Sequence, residues 1–176
     1  MSSIAKILPH YTYEDWVLWE GRWELLEGHP IAMSPSPIPK HQRVVAEMIT
    51  EINLALRTSG CKSCRVYHDM DFKIADDTIL APDVLVVCGE IKSKILDFAP
   101  ALVVEILSPS TALRDRNTKF QLYEQQGVKY YLIVDSEKEI TEIYKLSAEG
   151  YQLIEDKKIE LEDGCTIQPN LSSIFL

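Results

Sequence analysis

The chain has 176 residues, a length that suggests one domain, and 46% of them are hydrophobic, which is enough for a core without covalent staples. Its formal net charge of −9 argues against a protein that coats nucleic acid through bulk positive charge, although it leaves room for an enzyme with a local basic patch. No apolar run approaches the roughly 20 residues of a membrane-spanning helix. The amino terminus lacks the apolar core and the cleavage site of a signal peptide, so a cytoplasmic location is expected.

The first third of the sequence predicts a short helix, a hairpin and a proline-rich loop. Thr12 is a suitable helix N-cap and Gly21 a suitable terminator, which predicts a helix over residues 12–20. Residues 22–33 predict a β-hairpin. Three prolines in residues 34–39 remove backbone donors, which excludes a central strand and predicts an ordered loop.

A long helix and a strand follow. Apolar side chains recur at helical spacing over residues 39–58, and Ser59-Gly60 ends that helix. Alternation of polar and apolar side chains predicts a strand over residues 64–75. The next strand is predicted over residues 79–87, with Pro82 at its start or edge.

The second half of the chain predicts a strand, a helix and a strand in succession. Residues 101–107 are a continuous apolar run broken only by Glu105, as in a strand that is buried on both faces. A helix is predicted from Ser110 or Thr111 to about residue 126, followed by a buried strand over residues 128–135. Because this succession forms a right-handed crossover, the two strands are expected to be parallel.

The carboxy-terminal part predicts a second hairpin, formed by residues 140–146 and 151–154. Residues 158–176 are expected to contribute another short strand and a loop that packs through Ile167, Leu171 and Ile174.

The four cysteines give a weaker signal. Cys61 and Cys64 form a lone C-x-x-C pair, and a structural zinc site needs a second ligand pair that does not stand at a convincing spacing. The pattern therefore favours two thiols in a loop over zinc or redox chemistry. Cys88 ends an apolar strand and is interpreted as a buried hydrophobic residue.

Three ionisable residues stand where a purely structural element would not place them. Asp83 lies at the start of one strand, Glu105 lies inside another, and Lys119 lies on the helix that follows. An unpaired buried charge costs several kcal/mol, so Glu105 needs a partner, a metal or a raised pKa. Two converging carboxylates suit a hard divalent cation, and a lysine nearby can orient or activate a water molecule or stabilise developing negative charge.

These residues carry a resemblance to a known family. Pro82-Asp83 followed by Glu105 on an apolar strand resembles the PD-(D/E)XK nuclease superfamily. One branch, the Uma2 family of restriction-endonuclease-like proteins, is similar over about residues 12–155. The shared segments read W-E-L-L-E-G-x-P-x-x-M-S-P-S-P, A-P-D-V, V-E-I-L-S-P-S-T, D-x-x-x-K-x-x-x-Y, G-V-x-x-Y and L-I-V-D.

The resemblance implies a role for each candidate residue. Asp83 and Glu105 match the metal-binding acids, Glu24 matches an amino-terminal acid of this branch, and His41 matches a histidine near the site. In the parent pattern the lysine stands two residues after the second acid, but Leu107 occupies that position here. Lys119 matches a lysine that this branch carries on the following helix instead.

Structural readings of the same residues stay open at this point. Glu105 and Lys119 can form a purely structural ion pair, and Lys119 alone can be a solvated helix residue. Asp83 can be a turn residue, Glu24 can be exposed on the hairpin, and His41 can be a polar first-turn residue. Basic residues that are expected near the site, each also compatible with a mixed-charge surface, are Lys40, Arg43, Arg65, Arg114 and Arg116.

The sequence therefore predicts one α/β nuclease domain over residues 1–176. Its restriction-endonuclease-like α-β-β-β-α-β core is a mixed sheet flanked by helices, extended by an amino-terminal and a carboxy-terminal hairpin. The expected function is Mg²⁺- or Mn²⁺-dependent cleavage of DNA, with a homodimer expected because cutting two strands needs two sites. The alternatives are an inactive protein of the same fold that binds nucleic acid or a protein partner, and a hydrolase of another phosphate ester.

Overall fold

A computed structural model describes residues 9–33 and 38–176 of the chain. Its helices are α1 (Tyr13–Trp16), α2 (Pro39–Thr58) and α3, which joins an α-helical turn (Ala112–Arg114), a π-helical segment (Asp115–Lys119) and a second α-helical segment (Phe120–Gln125). Its strands are β1 (Trp23–Leu26), β2 (His29–Ala32), β3 (Cys64–His68), β4 (Phe72–Ala75), β5 (Thr78–Leu80), β6 (Val84–Cys88), β7 (Leu102–Ile106), β8 (Tyr130–Asp135), β9 (Ile140–Ser147), β10 (Gly150–Ile154), β11 (Ile159–Glu160) and β12 (Thr166–Ile167). Most of the loop predicted over residues 34–39 lies outside the described residues, and Pro39 already belongs to α2.

The larger sheet has six strands in the order β10-β9-β8-β7-β6-β3. β7 and β8 are parallel, as the strand–helix–strand succession predicts, and every other neighbouring pair is antiparallel. Along the chain, α2, β3, β6, β7, α3 and β8 succeed one another as an α-β-β-β-α-β core. The predicted fold class is confirmed.

A second sheet of four antiparallel strands has the order β2-β1-β5-β4. It corrects two strand predictions, because residues 64–75 and residues 79–87 each divide between the two sheets. The first run breaks at Asp69, whose backbone φ of 53° leaves the extended region. The second breaks at Pro82, which has no N–H to donate to a ladder.

The two faces of the larger sheet have separate cores. One face packs against α2, whose buried side chains recur at the predicted helical spacing, and against the carboxy-terminal tail. Ile167, Leu171 and Ile174 lie in this core, as expected. The other face packs against α3 and contains Tyr123 and Tyr131. The sheet is therefore buried on both sides, which explains the continuous apolar sequences of β6, β7 and β8.

Both predicted hairpins are confirmed, with adjustments at their ends. β1 and β2 are joined at Glu27 and Gly28, whose positive φ values of 47° and 77° belong to the turn type that suits a two-residue hairpin loop. β9 and β10 pair around residues 148–149. The helix predicted over residues 12–20 shortens to α1, where the Thr12 N–H donates to the Asp15 carboxylate.

The cysteine predictions are wrong. Cys61 is bonded to Cys165 and Cys64 is bonded to Cys88, so Cys61 and Cys64 are not free thiols and Cys88 is not merely a buried hydrophobic residue. Cys64 and Cys88 face one another in the register of β3 and β6, and the carboxy-terminal tail brings Cys165 to Cys61. Sequence spacing could not reveal these pairs, because the partners lie far apart along the chain.

Among the described residues, no helix combines the length and the apolarity that crossing a membrane requires.

Candidate active site

Asp83 and Glu105 lie beside one another where β6 begins and β7 ends. Val84 pairs with Val104 in the antiparallel register, so one step further Asp83 stands opposite Glu105. The Asp83 Oδ2 atom accepts a hydrogen bond of 2.8 Å from the backbone N–H of Ile106. The aspartate thereby replaces a backbone carbonyl at the end of the ladder, which holds its carboxylate at this edge of the sheet.

Lys119 lies between two of the candidate carboxylates. Its Nζ atom is 2.9 Å from Glu105 Oε1 and 2.7 Å from Glu24 Oε1. Tyr123, one turn further along α3, donates a hydrogen bond of 2.7 Å from its hydroxyl to the same Glu105 oxygen. The lysine therefore joins the two sheets through their buried carboxylates.

The helix that carries Lys119 is locally π-helical over Asp115–Lys119. Such segments are rare, and they occur frequently at functional sites because they re-aim side chains that a regular helix would point elsewhere. Here the segment buries both of its end residues: Asp115 exposes 1% and Lys119 exposes 2% of its surface. The reading of Lys119 as a solvated helix residue is therefore wrong.

Glu24 reaches the site from the second sheet and is completely buried, which excludes the reading of an exposed hairpin residue. Its Oε1 atom also accepts a hydrogen bond of 3.1 Å from the Ala81 N–H. Its Oε2 atom has no hydrogen-bond partner within the described residues and lies 3.4 Å from Arg114 Nε. One oxygen of this buried carboxylate is thus left without a hydrogen-bond donor.

Asp115 is a member of the cluster that sequence reasoning did not assign to the site. Its buried Oδ1 atom is 3.6 Å from Lys119 Nζ, and it has no hydrogen-bond partner in the described part of the chain. The four-residue spacing of Asp115, Lys119 and Tyr123 placed them on one helix face, and that spacing was the available signal. That spacing does not show how deeply these side chains are buried.

His41 approaches the site from the start of α2. Its Nε2 atom is 3.4 Å from Asp83 Oδ2, and its side chain is 13% exposed. The hydrogen-bonding and charge interactions with Asp83 raise the pKa of His41, against the lowering effect of partial burial. The histidine is therefore a candidate cation at the more open side of Asp83.

The cluster carries more negative than positive charge. Burial raises the pKa of Glu105 well above its usual range, and this effect exceeds the lowering effect of Lys119. Burial likewise raises the pKa of Asp115. Burial lowers the pKa of Lys119, but Glu105, Glu24 and Asp115 together outweigh it, so the net pKa shift is upward and the lysine holds its proton. A further cation bound beside these carboxyl groups would favour their ionised forms.

The oxygen donors fit a hard divalent cation that keeps part of its water. Asp83 and Glu105 are carboxylates at neighbouring strand ends, which is the donor type that Mg²⁺ prefers. Among the described residues, no three carboxylate or imidazole atoms of this site lie within 4.8 Å of one another. The arrangement therefore offers two carboxylates at most to one ion, and Mg²⁺ is commonly bound in this way, with water completing its shell.

The basic residues that were expected near the site have contacts in different parts of the structure. Arg114 reaches Glu24, as described above, whereas Arg116 forms a bidentate pair with Glu142 at 2.8 and 2.9 Å. Arg65 is at the other end of the larger sheet, where its guanidinium donates to the backbone oxygen of Cys64, so its assignment to this site is wrong. Arg43 donates to the Phe175 carbonyl.

The α-β-β-β-α-β core, with acidic residues and a lysine at one edge of its sheet, defines a restriction-endonuclease-like class of protein. A solved structure from Anabaena variabilis, described as "a putative nuclease belonging to DUF820", shares this fold with a TM-score of 0.73. That match has 19% sequence identity and covers 94% of this chain and 99% of the other. At this level of identity the likeness concerns the fold alone.

Residues 12–172 match the sequence profile of the Uma2 family, which is described as "Putative restriction endonuclease". An uncharacterized protein of Synechocystis sp. is 30% identical over 155 residues, which cover 83% of this chain and 80% of that protein. The chain belongs to the Uma2 family. Family and fold together indicate a nuclease of the restriction-endonuclease type.

Proposed function

We propose that this protein is a metal-dependent endonuclease that hydrolyses phosphodiester bonds in DNA, with Mg²⁺ or Mn²⁺ as its cofactor. The convergence of Glu24, Glu105 and Asp115 around Lys119, with Asp83 opposite Glu105 where β6 begins, carries this proposal. Buried ionisable groups with strongly shifted pKa values cluster at functional sites. Membership of the Uma2 family supports the same reading.

Asp83 and Glu105 are the residues that would hold the cation. A divalent cation at that position supplies Lewis-acid stabilisation of the negative charge that develops on phosphate oxygens. Burial raises the pKa of Glu105, and a cation bound there would favour its ionised form. The Asp83 carboxylate is held in place by the hydrogen bond that it accepts from the Ile106 N–H.

Lys119 acts in this proposal as a fixed positive charge. Because the surrounding carboxylates hold its proton, the ammonium group cannot serve as the base that deprotonates a water molecule. It can orient the attacking water and stabilise the negative charge of the phosphate in the transition state. Glu24 and Tyr123 would be positioning residues, since they contact Lys119 and Glu105 rather than the open edge.

His41 would meet the substrate on the more open side of Asp83. When protonated, its imidazolium adds a positive charge and an N–H donor beside the position of the scissile phosphate. Its raised pKa increases the protonated fraction near neutral pH. A role as proton donor to the leaving oxygen follows from the same geometry.

The proposal includes one nuclease domain, a homodimer and a cytoplasmic location. A shared core between α2, the larger sheet and the carboxy-terminal tail supports one domain. A dimer would provide the two sites that cleavage of both strands requires, and sedimentation of the purified chain tests it.

A second candidate is an inactive protein of the same fold that binds nucleic acid or a protein partner. The pairing of Lys119 with both Glu24 and Glu105 favours it, because a closed network of ion pairs can be purely structural. Hydrolysis of another phosphate ester is the third candidate, and the acidic net charge is compatible with it.

Plasmid cleavage in Mg²⁺ and then in Mn²⁺ tests the proposal. We would compare the wild type with Asp83→Ala and Lys119→Ala, and use Lys138→Ala as the matched control, since Lys138 is 72% exposed in its pair with Asp135. Cleavage that requires metal, is lost in both site variants and persists in the control supports the nuclease.

If a folded wild type leaves the plasmid intact, titration of Mn²⁺ into the same samples distinguishes the remaining explanations. Binding that disappears in Asp83→Ala means a metal site with another substrate, for which bis(p-nitrophenyl) phosphate is the first probe. No metal binding means that Lys119 and Glu105 are structural, and the second candidate replaces the first.

A further inference from the structure

All four cysteines meet at the end of β6 that lies away from Asp83. Cys88 ends β6 and faces Cys64 at the start of β3, while Cys61 lies in the loop after α2 and Cys165 precedes β12. The sulfur atoms of Cys61, Cys64 and Cys165 all lie within 4.8 Å of one another. Cys88 is not within that distance of all three, but its sulfur is bonded to the Cys64 sulfur and therefore lies next to the group.

We propose that the reduced chain binds one Zn²⁺ ion through these four cysteines, as a structural site separate from the acidic site. Zn²⁺ takes four thiolates tetrahedrally at about 2.3 Å, which places their sulfur atoms about 3.8 Å apart. The sulfur atoms of Cys61, Cys64 and Cys165 already lie within 4.8 Å of one another, which is close to this spacing. Cys61 and Cys64 form the usual C-x-x-C half of a zinc site.

The second half of this site is Cys88 and Cys165. The two residues come from different parts of the chain, so no short spacing marks them as a ligand pair. The register of β3 and β6 brings Cys88 to Cys64, and the tail that packs on α2 brings Cys165 to Cys61. A structural zinc site needs a second pair of ligands, which the sequence spacing does not show. The fold supplies that pair.

The surroundings fit a structural rather than a catalytic ion. Cys64 and Cys88 are 1% and 8% exposed, and four protein ligands leave no open position for a substrate. Four thiolates and one Zn²⁺ carry a net charge of −2. Arg65 is fixed beside them, because its guanidinium donates to the backbone oxygens of Lys62 and Cys64 at 2.7 and 2.8 Å. A cation at this place offsets part of that charge.

The zinc state and the two disulfide bonds exclude one another. Each disulfide must accept two electrons before its sulfur atoms can bind metal, and the four resulting thiols release four protons when one Zn²⁺ binds. A compartment that keeps thiols reduced favours the zinc state, and an oxidising one favours the two disulfides. In either state the cluster ties the end of α2 and the carboxy-terminal tail to the larger sheet.

The test uses the full chain, unfolded in guanidinium with a phosphine that reduces both disulfides and takes up oxygen from water. The chain is then refolded without metal, with Zn²⁺, or with Co²⁺ as the spectroscopic probe. We expect one Co²⁺ per chain with the absorption bands of tetrahedral thiolate coordination, which disappear when Zn²⁺ displaces it. We also expect Zn²⁺ to raise the unfolding midpoint of the reduced chain by about 10 °C or more.

Two variants make the assignment specific. Cys165→Ser should lose the tetrathiolate spectrum, whereas Glu105→Gln should keep it because the acidic site is at the other end of β6. A refolded wild type with four titratable thiols and no such spectrum overturns the proposal. A Cys165→Ser variant that binds Co²⁺ as the wild type does overturns it as well. If the serine variant does not fold, the stoichiometry and spectrum of the wild type decide, and neither readout depends on nuclease activity.

Discussion

The two ends of β6 differ in the charge and in the covalent bonding of the residues around them. Asp83, just before the strand, meets His41 and the buried cluster around Lys119, in which a Glu24 oxygen lacks a hydrogen-bond partner among the described residues. Cys88, at the other end, is covalently bonded and surrounded by apolar core residues. One end of a five-residue strand therefore carries costly charges, and the other end carries cross-links.

The difference suggests a division of labour. Buried charges destabilise a fold unless their pairing is complete, so an active site that keeps them ready for substrate depends on stability supplied elsewhere. Cross-links and apolar packing at the cysteine end can supply it without interfering with the chemistry. Variants at the two ends should consequently separate activity from stability.

Removal of the Cys61–Cys165 bond should have the largest effect. In non-reducing buffer without metal, Cys61→Ser/Cys165→Ser frees a loop with a sequence separation of 104 residues, which corresponds to about 5 kcal/mol of unfolding free energy. Cys64→Ser/Cys88→Ser frees a separation of 24 residues and should cost about 3 kcal/mol. Urea unfolding measures both. Equal losses, or a loss of nuclease activity per folded molecule, would contradict the division of labour.

Replacement of Lys119 should rank next. Lys119→Met leaves Glu24, Glu105 and Asp115 without their shared cation, and breaking a buried ion pair in this way costs about 3–5 kcal/mol. Lys138→Met removes an exposed pair and should cost less than about 1 kcal/mol. The comparison uses denaturant unfolding at neutral pH. If the two variants lose similar stability, the acidic cluster is better hydrated than its burial indicates.

The pH dependence of stability should have opposite signs at Glu105 and at Glu142. The pKa of Glu105 is raised in the folded state, so its contribution to stability is present below the ordinary glutamate pKa and is lost as the pH rises. The pKa of Glu142 is lowered by its hydrogen bonds with Arg116, so its contribution is present above the ordinary pKa and is lost as the pH falls. Unfolding at several pH values in the presence of a chelator measures both contributions.

Glutamine variants make this comparison quantitative. Relative to the wild type, Glu105→Gln should become more stable as the pH rises from about 5 to about 8. Glu142→Gln should be less stable than the wild type above the ordinary glutamate pKa of 4.5, and this difference should shrink as the pH falls below that value. The Glu105 variant should at the same time be inactive. A Glu105→Gln chain that is less stable than the wild type at the upper end would mean that the ion pair with Lys119 outweighs desolvation.

His41→Gln should have the smallest effect. The imidazole is 3.4 Å from Asp83 and lies outside the group of completely buried residues, so its loss should leave stability nearly unchanged. Cleavage should fall by about a hundredfold, the lower end of what one general acid contributes. The acidic-to-neutral region of the pH–rate profile should change as well, because His41 has a raised pKa. An unchanged profile would assign His41 to packing.

Much of the scaffold could be predicted from local patterns. The bounds of α2 and the parallel pairing of β7 with β8 follow from hydrophobic spacing and from the handedness of a strand–helix–strand unit. Glu105 was conspicuous because it interrupts an apolar strand. The strand breaks near Asp69 and Pro82 were missed, since hydrophobic alternation continues through both and only the choice of sheet separates them.

The amino-acid sequence by itself indicated most of the helices and strands and made Asp83, Glu105 and Lys119 candidates for the site, because each has a signature within a few neighbouring positions. Only the tertiary structure decided that Glu24 and Asp115 join them, and that the cysteines meet in pairs. These contacts link residues that are distant along the chain, or depend on how deeply a helix face is buried. Their energies arise from desolvation and from sheet register, which no local pattern records.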